Sequence, residues 1–267
     1  MKNKMGLSTC FYKECTEENW RQAAGAGFTD TELVFTRVLP AELILSKAER
    51  AYNVLSACRL HVSSVHLPFN DAWDISALET ARRREVLEKL RLLLDWTGKK
   101  QIGIAVLHPS FEPVPEGERQ ERLLRSAESI RELSRYASNQ NIRIAVENLP
   151  RTCLGNCADE ILTLTDDGKS ASVCFDVNHL LKETHRDFVK KAGDYFITTH
   201  LSDYDRRDEK HWLPGDGCID WKELMALLEE KQYGGRYLFE LNEASSPSLN
   251  RVFTPKELAD RFREITT

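Results

Sequence analysis

Six short apolar segments of this 267-residue chain each end at a side chain that can bind a metal ion. These side chains are imidazoles and carboxylates, the ligand types that divalent cations take from proteins. If the segments are parallel strands, their carboxyl ends lie on one face of the sheet, and the six side chains converge there. The pattern therefore predicts a metal centre that can support catalysis. The segments end at His66, His108, Glu147, Asp176, His200 and Glu240.

The elements that must position these residues alternate between strand and helix patterns. Runs of Val, Ile, Leu and Phe of this length are typical of strands buried on both faces. Eight strand–helix pairs give a mean repeat of about 33 residues, the size of a βα unit. No linker interrupts the alternation, so the sequence predicts one α/β domain over residues 1–267, a single (β/α)8 TIM barrel. An open doubly wound sheet is disfavoured because no glycine-rich phosphate loop follows the first strand.

One helix boundary is predicted from a local motif. Ser76 and Glu79 have the spacing of a capping box, in which each side chain caps a backbone N–H of the other residue. A helical stripe of apolar residues follows them. The long helix after the third strand is therefore predicted to run from Ser76 to about Trp96.

Composition limits the classes of partner. The formal net charge of −5 argues against a protein that binds nucleic acid over a wide surface. The chain shows no run of about 18 apolar residues and no signal-peptide pattern, so we expect a cytoplasmic protein without a membrane span. The seven cysteines are scattered, which suits reduced thiols. Cys153 and Cys157 are not accompanied by a second cysteine pair that would complete a metal site. The sequence leaves open whether the protein forms a homo-oligomer.

Four of the six residues form the predicted ligand set. Glu147, Asp176, His200 and Glu240 would supply three oxygen donors and one nitrogen donor from four successive strands. This set suits a divalent cation such as Mn²⁺, Mg²⁺, Co²⁺ or Zn²⁺. Any one of these residues alone could simply satisfy a loop or a helix cap. Four in succession, each at the end of an uncharged run, favour a site.

Further polar residues follow the strand ends. His179 stands three residues after Asp176, and Glu209 and His211 lie in the loop after His200. These residues could contact a substrate, support the ligands or bind another metal. His185 has no such neighbours and is interpreted as a surface residue.

Aromatic and basic residues near the strand ends are candidates for a substrate pocket. The aromatic candidates are Phe11, Phe69 and Trp73, although core packing is an equal interpretation for Phe11. The basic candidates for a phosphate contact are Arg151, Arg206 and Arg207. The sequence does not decide whether the substrate carries a phosphate.

Five segments together resemble the xylose isomerase-like barrel superfamily, and the resemblance extends over essentially the whole chain. The sugar (phosphate) isomerase/epimerase branch is the most similar. The motifs are specific for the superfamily but not for one substrate. The segments are AVEN, FDVNH, THLSDYD, HWLPGDGCIDW and LFELN.

The resemblance implies a metal-dependent isomerase or epimerase of a small sugar, sugar phosphate or polyol ketone. One divalent metal would bind adjacent carbonyl and hydroxyl oxygens of the sugar and stabilise an enediolate. Glu147 and Glu240 would act as bases on opposite sides of the reacting carbon, which gives epimerisation, whereas a relay along one face gives isomerisation. His179 and Arg206 match substrate-binding residues of ketose epimerases. Cys153 replaces an acidic residue of that pattern.

The resemblance leaves two alternatives. A dehydratase or lyase acting on a keto-sugar would share the first proton abstraction. An endonuclease IV-like enzyme, a zinc phosphodiesterase that cleaves abasic DNA, would bind up to three Zn²⁺. Glu32 in the second strand and the negative net charge favour sugar chemistry over DNA cleavage. The three zinc sites would be His66, His108 and Glu147; Glu147, Asp176, His200 and Glu240; and His179, Glu209 and His211.

Overall fold

The computed structural model describes residues 4–35 and 40–266, and this part of the chain forms eight strands that alternate with eight α-helices. None of these helices is long and apolar enough to cross a membrane. The strands are β1 (Met5–Ser8), β2 (Asp30–Val34), β3 (His61–His66), β4 (Ile104–Leu107), β5 (Arg143–Glu147), β6 (Ser172–Asp176), β7 (Phe196–His200) and β8 (Tyr237–Phe239). The helices are α1 (Glu17–Gly25), α2 (Ala41–Ala57), α3 (Thr80–Lys99), α4 (Arg119–Ser138), α5 (Ala158–Thr165), α6 (His185–Ala192), α7 (Trp221–Glu230) and α8 (Pro255–Thr266).

The strands form one parallel sheet that closes on itself. Neighbours in the sheet follow the chain order from β1 to β7, and β8 pairs with β1. A parallel bridge between Leu201 and Phe239 joins the ends of β7 and β8, and the N–H of Leu201 donates to the carbonyl of Leu238 at 2.7 Å. The predicted (β/α)8 barrel is therefore confirmed, and its strand ends share one face.

Side-chain alternation along the strands decides which residues point into the barrel. In β5, Ile144 and Val146 belong to the large core that includes the helices, whereas Ala145 belongs to a separate small cluster. Because successive side chains of a strand point to opposite faces, Glu147 shares the interior face with Ala145. The small cluster consists of Ile104, Val106, Ala145 and Cys174, with Ile197 packed against it.

The loop after β7 is held by one buried carboxylate. Asp203 accepts hydrogen bonds from the indole N–H of Trp221 at 2.9 Å and from the backbone N–H groups of Tyr204 and Gly215 at 2.9 and 2.8 Å. Buried donors are rarely left without an acceptor, since this costs about 1–3 kcal/mol each. Asp203 therefore fixes the path of residues 204–220, which lead into α7.

The predicted start of the third helix is wrong. The helix begins at Thr80, and Glu79 precedes it without a side-chain cap. The hydroxyl of Ser76 donates instead to Asp74 at 2.6 Å. The Ser76 oxygen accepts hydrogen bonds from Arg122 Nε and Nη2 at 3.2 and 3.0 Å, so the lone pairs that would cap the helix are already used.

Candidate metal centre

Four of the predicted ligands meet at the ends of neighbouring strands. Glu147, Asp176 and His200 are the last residues of β5, β6 and β7, and Glu240 follows β8 directly. One ligand atom from each side chain lies within 4.8 Å of those of the other three. The side chains of the first three are at most 1% exposed, and that of Glu240 is 14% exposed. The barrel mouth thus gathers three carboxylates and one imidazole in a buried cluster.

Glu147 lies at the centre of this cluster and contacts three imidazoles. Its Oε2 lies 3.0 Å from His66 Nε2 and 3.1 Å from His108 Nε2, and its Oε1 lies 3.1 Å from His200 Nδ1. Burial by itself raises the pKa of the Glu147 carboxyl, but His200 and His108 outweigh burial and hold that pKa well below its ordinary value. His200 likewise lowers the pKa of Glu240 against the effect of burial.

Backbone carbonyls orient three of the histidines. In each, Nδ1 lies 2.8 to 3.0 Å from a carbonyl oxygen, so the neutral ring donates from Nδ1 and presents the lone pair of Nε2. Metal-binding histidines almost always donate their second ring N–H in this way. The Nε2 of His66 then faces a carboxylate oxygen across 3.0 Å, and two acceptors at that distance need a proton or a cation between them. The pairs are His66 with Leu67, His179 with Asn148, and His211 with Glu240.

Asp176 has a buried oxygen that no neighbour satisfies. Its Oδ1 accepts from the backbone N–H of Asn178 at 2.7 Å, but Oδ2 has no hydrogen-bond partner among the described residues. Burial, together with the carboxylates of Glu147 and Glu240, raises the pKa of Asp176 to about 6 against the opposite effect of nearby imidazoles. A divalent cation would supply the partner that Oδ2 lacks, and the donor set of the cluster fits such an ion.

A second group of polar residues borders the cluster. His179 Nε2 lies 3.3 Å from Glu209 Oε2, and the amide oxygen of Asn178 accepts from the backbone N–H of His211 at 3.1 Å. Burial lowers the pKa of His179, but Asp176 and Glu209 raise it to about 10. The hydrogen bond with His179 is the main cause that lowers the pKa of Glu209 to about 2. These contacts tie the loop after β7 to the turn after β6.

A cavity of about 350 Å³ opens above the cluster. Of the three predicted aromatic residues, Phe69 lines this cavity and stacks on His108 with 4.0 Å between the ring centroids. Phe11 packs in the core against Phe253, and Trp73 is buried with Lys89 over its ring, so both lie outside the described lining. The charged residues of the lining, apart from histidines, are Glu112, Glu147, Arg151, Glu209 and Glu240.

Arg151 reaches the cavity, but three carboxylates hold it. Its Nε donates to Glu112 at 3.0 Å, Nη1 donates to Asp208 at 2.6 Å, and Nη2 lies 3.0 Å from Glu209. These ion pairs raise the pKa of Arg151, with the contact to Glu112 as the main cause. The guanidinium therefore connects the loops after β4, β5 and β7 at the cavity wall.

Three residues lie elsewhere than the sequence indicated. Arg206 and Arg207 are exposed and are not part of the described cavity lining, so the structure does not bring Arg206 to the cluster. His185 was predicted on the surface, and this is wrong. Its ring is buried, Nε2 lies 2.8 Å from the carbonyl oxygen of Val177, and burial lowers its pKa to about 4.

Sequence reasoning missed the roles of two residues that support the cluster. The amide of Asn148 makes hydrogen bonds with both the N–H and the carbonyl of Asp176, at 2.8 and 2.9 Å. The sequence analysis used Glu32 only as an acidic residue that disfavours DNA cleavage. Its side chain is fully buried, and its Oε1 lies 3.0 Å from His200 Nε2. For Asn148 the available signal was a polar residue directly after an apolar strand, whereas β2 contains Asp30 and Thr31 as well as Glu32, so its sequence did not single out Glu32.

The fold and the cluster define a (β/α)8 barrel with a candidate metal centre on the face where such barrels have their active sites. The chain belongs to the xylose isomerase-like TIM barrel family, whose model matches residues 20–265.

Proteins similar to this chain include named epimerases. An uncharacterized protein of Methanocaldococcus jannaschii is 26% identical over 210 residues, which cover 75% of this chain and 70% of that relative. Fructoselysine 3-epimerase of Escherichia coli O157:H7 is 26% identical over 173 residues, 60% of each chain. The crystal structure of D-psicose 3-epimerase from Clostridium cellulolyticum H10 with D-tagatose has a TM-score of 0.77 at 16% identity over 98% of both chains, which shows a shared fold.

We predict that Asp176→Asn weakens the binding of Mn²⁺. The substitution removes the charge from an unsatisfied buried ligand oxygen, so affinity should fall by at least about tenfold, the lower end of what is lost when a supporting residue of a metal site is changed. Titration of the metal-free protein with Mn²⁺ measures the change. Asp194→Asn, at an exposed carboxylate paired with Lys231, is the matched control and should bind like the wild type. Equal affinity of all three proteins would exclude Asp176 as a ligand.

Proposed function

We propose that this protein is a divalent-metal-dependent sugar epimerase or isomerase that moves a proton at a carbon beside a carbonyl group. The observation that carries the proposal is the position of two glutamates in the ligand cluster, with Glu147 Oε1 and Glu240 Oε2 each 3.1 Å from His200 Nδ1. Two similar proteins, fructoselysine 3-epimerase and D-psicose 3-epimerase, are named as epimerases, which supports the same reaction class. The cation would be held by these three residues and Asp176, where it would act as a Lewis acid toward sugar oxygens.

The residues of the chain account for the proton transfers. Glu147 would accept the proton from the reacting carbon, and the electron pair of the broken C–H bond would move into the adjacent carbonyl group. Glu240, once protonated from solvent, would donate that proton to the other face of the carbon while the electron pair returns to it, and so invert it. Glu147 would then release the abstracted proton to solvent, which restores both carboxylates. The lowered pKa of Glu147 keeps this carboxylate in the form that can accept a proton. Loss of a neighbouring hydroxyl after the same first step would give a dehydratase instead.

We further propose that the sugar is not phosphorylated. Arg151 is the one arginine of the described lining, which has no lysine, and its guanidinium is engaged by three carboxylates. A phosphate at this wall would meet Glu112 and Glu209, and the juxtaposition of like charges costs several kcal/mol. A cavity of about 350 Å³ with this lining suits a neutral ketose.

We predict that Glu147→Gln and Glu240→Gln each lower turnover by at least about 100-fold, because a positioned acid or base contributes about 10²–10⁴. The measurement is solvent deuterium incorporation into ketohexoses and ketopentoses in D₂O, followed by NMR. The metal content of each variant is measured in parallel, so that loss of the cation is separated from loss of the base. Glu230→Gln on α7 is the matched control. Variants that keep the metal and full exchange would contradict the assigned roles.

We predict that kcat/KM for a free ketose exceeds that for its phosphate by at least about tenfold, because the wall repels the phosphate. Glu112→Gln frees one side of Arg151 and should reduce this preference. Glu116→Gln, at a nearby exposed residue, should leave it unchanged. A wild-type preference for the phosphorylated sugar would refute the proposed substrate class.

A zinc phosphodiesterase is the second candidate, and a specific observation favours it. Among the described residues, four groups of ligand atoms besides the main cluster also lie within 4.8 Å of one another, and two of these groups resemble the predicted zinc sites. Three tightly bound Zn²⁺ per chain together with cleavage of abasic duplex DNA would establish this activity. We expect at most weak cleavage, because the cavity wall is acidic. The first of these two groups, His66, His108 and Glu147, is the predicted one. The second differs from the predicted site, because it contains Asp176 in place of Glu209 beside His179 and His211.

A further inference from the structure

Glu32 is a fully buried carboxylate that the proposed reaction does not use. It lies in β2, and its Oε2 accepts a hydrogen bond from the hydroxyl of Ser64 at 2.8 Å. Its Oε1 lies 3.0 Å from His200 Nε2. The alignment of these two atoms falls short of a hydrogen bond, and neither has another hydrogen-bond partner among the described residues. The closest charged neighbour of His200 on the side away from the cluster is therefore Glu32.

The packing of the barrel does not by itself account for this carboxylate. A carboxylate inside a barrel costs free energy unless both oxygens find partners. Ser64 satisfies one oxygen, and the imidazole of His200 is the group placed to satisfy the other. Among the described residues, His200 of the candidate metal centre is therefore the group placed to become the second partner of Glu32.

The strand geometry directs Glu32 toward that imidazole. Pairing between β2 and β3 changes register between Thr31 and Glu32, so that Thr31 pairs with Val62 and Glu32 pairs with Ser64. Such irregularities turn side chains in new directions and are common next to active sites. The register shift sets the hydroxyl of Ser64 opposite Glu32, where it holds the carboxylate.

The two nitrogens of His200 face different environments. Nδ1 lies 3.1 Å from both Glu147 Oε1 and Glu240 Oε2, within the ligand cluster, whereas Nε2 faces Glu32. A neutral imidazole has one protonated nitrogen and one lone pair, so only the tautomer protonated at Nε2 can offer Nδ1 to a cation.

We propose that Glu32 is a positioning residue that selects the Nε2-protonated tautomer of His200 and thereby presents the Nδ1 lone pair to the metal. Glu32 contacts the ring nitrogen that lies opposite the metal-binding nitrogen. Carboxylates occupy the same place in carboxylate–histidine–metal arrangements, where they fix the orientation of the ring and raise its basicity. The inference rests on the metal dependence in the proposed function. Cys174 also has its sulfur within 4.8 Å of a His200 nitrogen, but a thiol is a weak hydrogen-bonding group.

The substitution Glu32→Gln tests this role. A glutamine can keep the hydrogen bond from Ser64 through its amide oxygen, but its NH₂ group would then face Nε2 and favour a lone pair there. We expect the ring to change to the Nδ1-protonated tautomer, and Mn²⁺ affinity to fall by about 10- to 100-fold. In the folded, metal-free full chain Glu147 and Glu240 keep a proton on Nδ1, so ¹⁵N shifts of His200 report whether Nε2 carries a second proton, as expected for the wild type, or a lone pair, as expected for Glu32→Gln. The affinity is read from titration with Mn²⁺ alone. Glu32→Asp, which keeps the carboxylate, should restore the wild-type tautomer.

Two controls make the outcomes decisive. Glu230→Gln, a matched change on the surface, should alter neither readout. Cys174→Ser should leave the tautomer of His200 unchanged. If Cys174→Ser changed the tautomer and Glu32→Gln did not, the role would belong to the thiol and the inference would be overturned. An unchanged tautomer in Glu32→Gln would overturn it as well. If the wild type bound no Mn²⁺, the proposed metal dependence would fail for that ion, and the tautomer readout would still decide the role of Glu32.

Discussion

The burial of the Glu147 carboxylate among three imidazoles is the interaction on which the mouth of the barrel depends. Those imidazoles come from the ends of β3, β4 and β7, so the charge balance of Glu147 exists only when the ring of strands is closed. Removal of one partner from a buried ion pair typically costs about 3–5 kcal/mol, because the remaining charge is left without compensation. The residues that would bind the cation therefore also stabilise the barrel, and substitutions among them affect both stability and binding.

A second layer of hydrogen bonds decides the direction in which these groups point. Backbone carbonyls accept hydrogen bonds from the Nδ1–H groups of three histidines, and the side-chain amides of Asn148 and Asn178 connect the strand ends to the loops beside them. A metal site needs its ligands within about 0.5 Å of the productive geometry, and side chains alone rarely achieve this. Most of these supporting atoms belong to residues directly after strands, so the rigid strands also hold the groups that orient the ligands.

The sequence predicted the parts of the site that depend on strand ends and failed where distant contacts decide. Glu147 could be placed because an apolar run stops where a strand leaves the core. The helix start at Ser76 was wrong, and the oxygen of Ser76 accepts instead from Arg122, 46 positions away, a contact that a motif does not reveal. The burial of His185 and the three ion pairs of Arg151 depend on residues brought together by the fold, up to 58 positions apart for Arg151. Periodicity carries no information about such contacts.

The candidate ligands bear on the type of reaction, whereas the cavity wall bears on the charge of the substrate. The ligands stand at strand ends, and the same set is compatible with proton transfer on a sugar and with phosphodiester cleavage. The wall is built by loops, where Phe69, Arg151 and Glu112 set its shape and charge. A polyanionic substrate needs free positive charge at the site, since phosphate neutralisation supplies much of the affinity for nucleic acids. Among the described lining residues, the one guanidinium, that of Arg151, is already bound by carboxylates, and His179 is paired with Glu209, so the proposal of a neutral sugar depends on the loops and not on the ligand cluster.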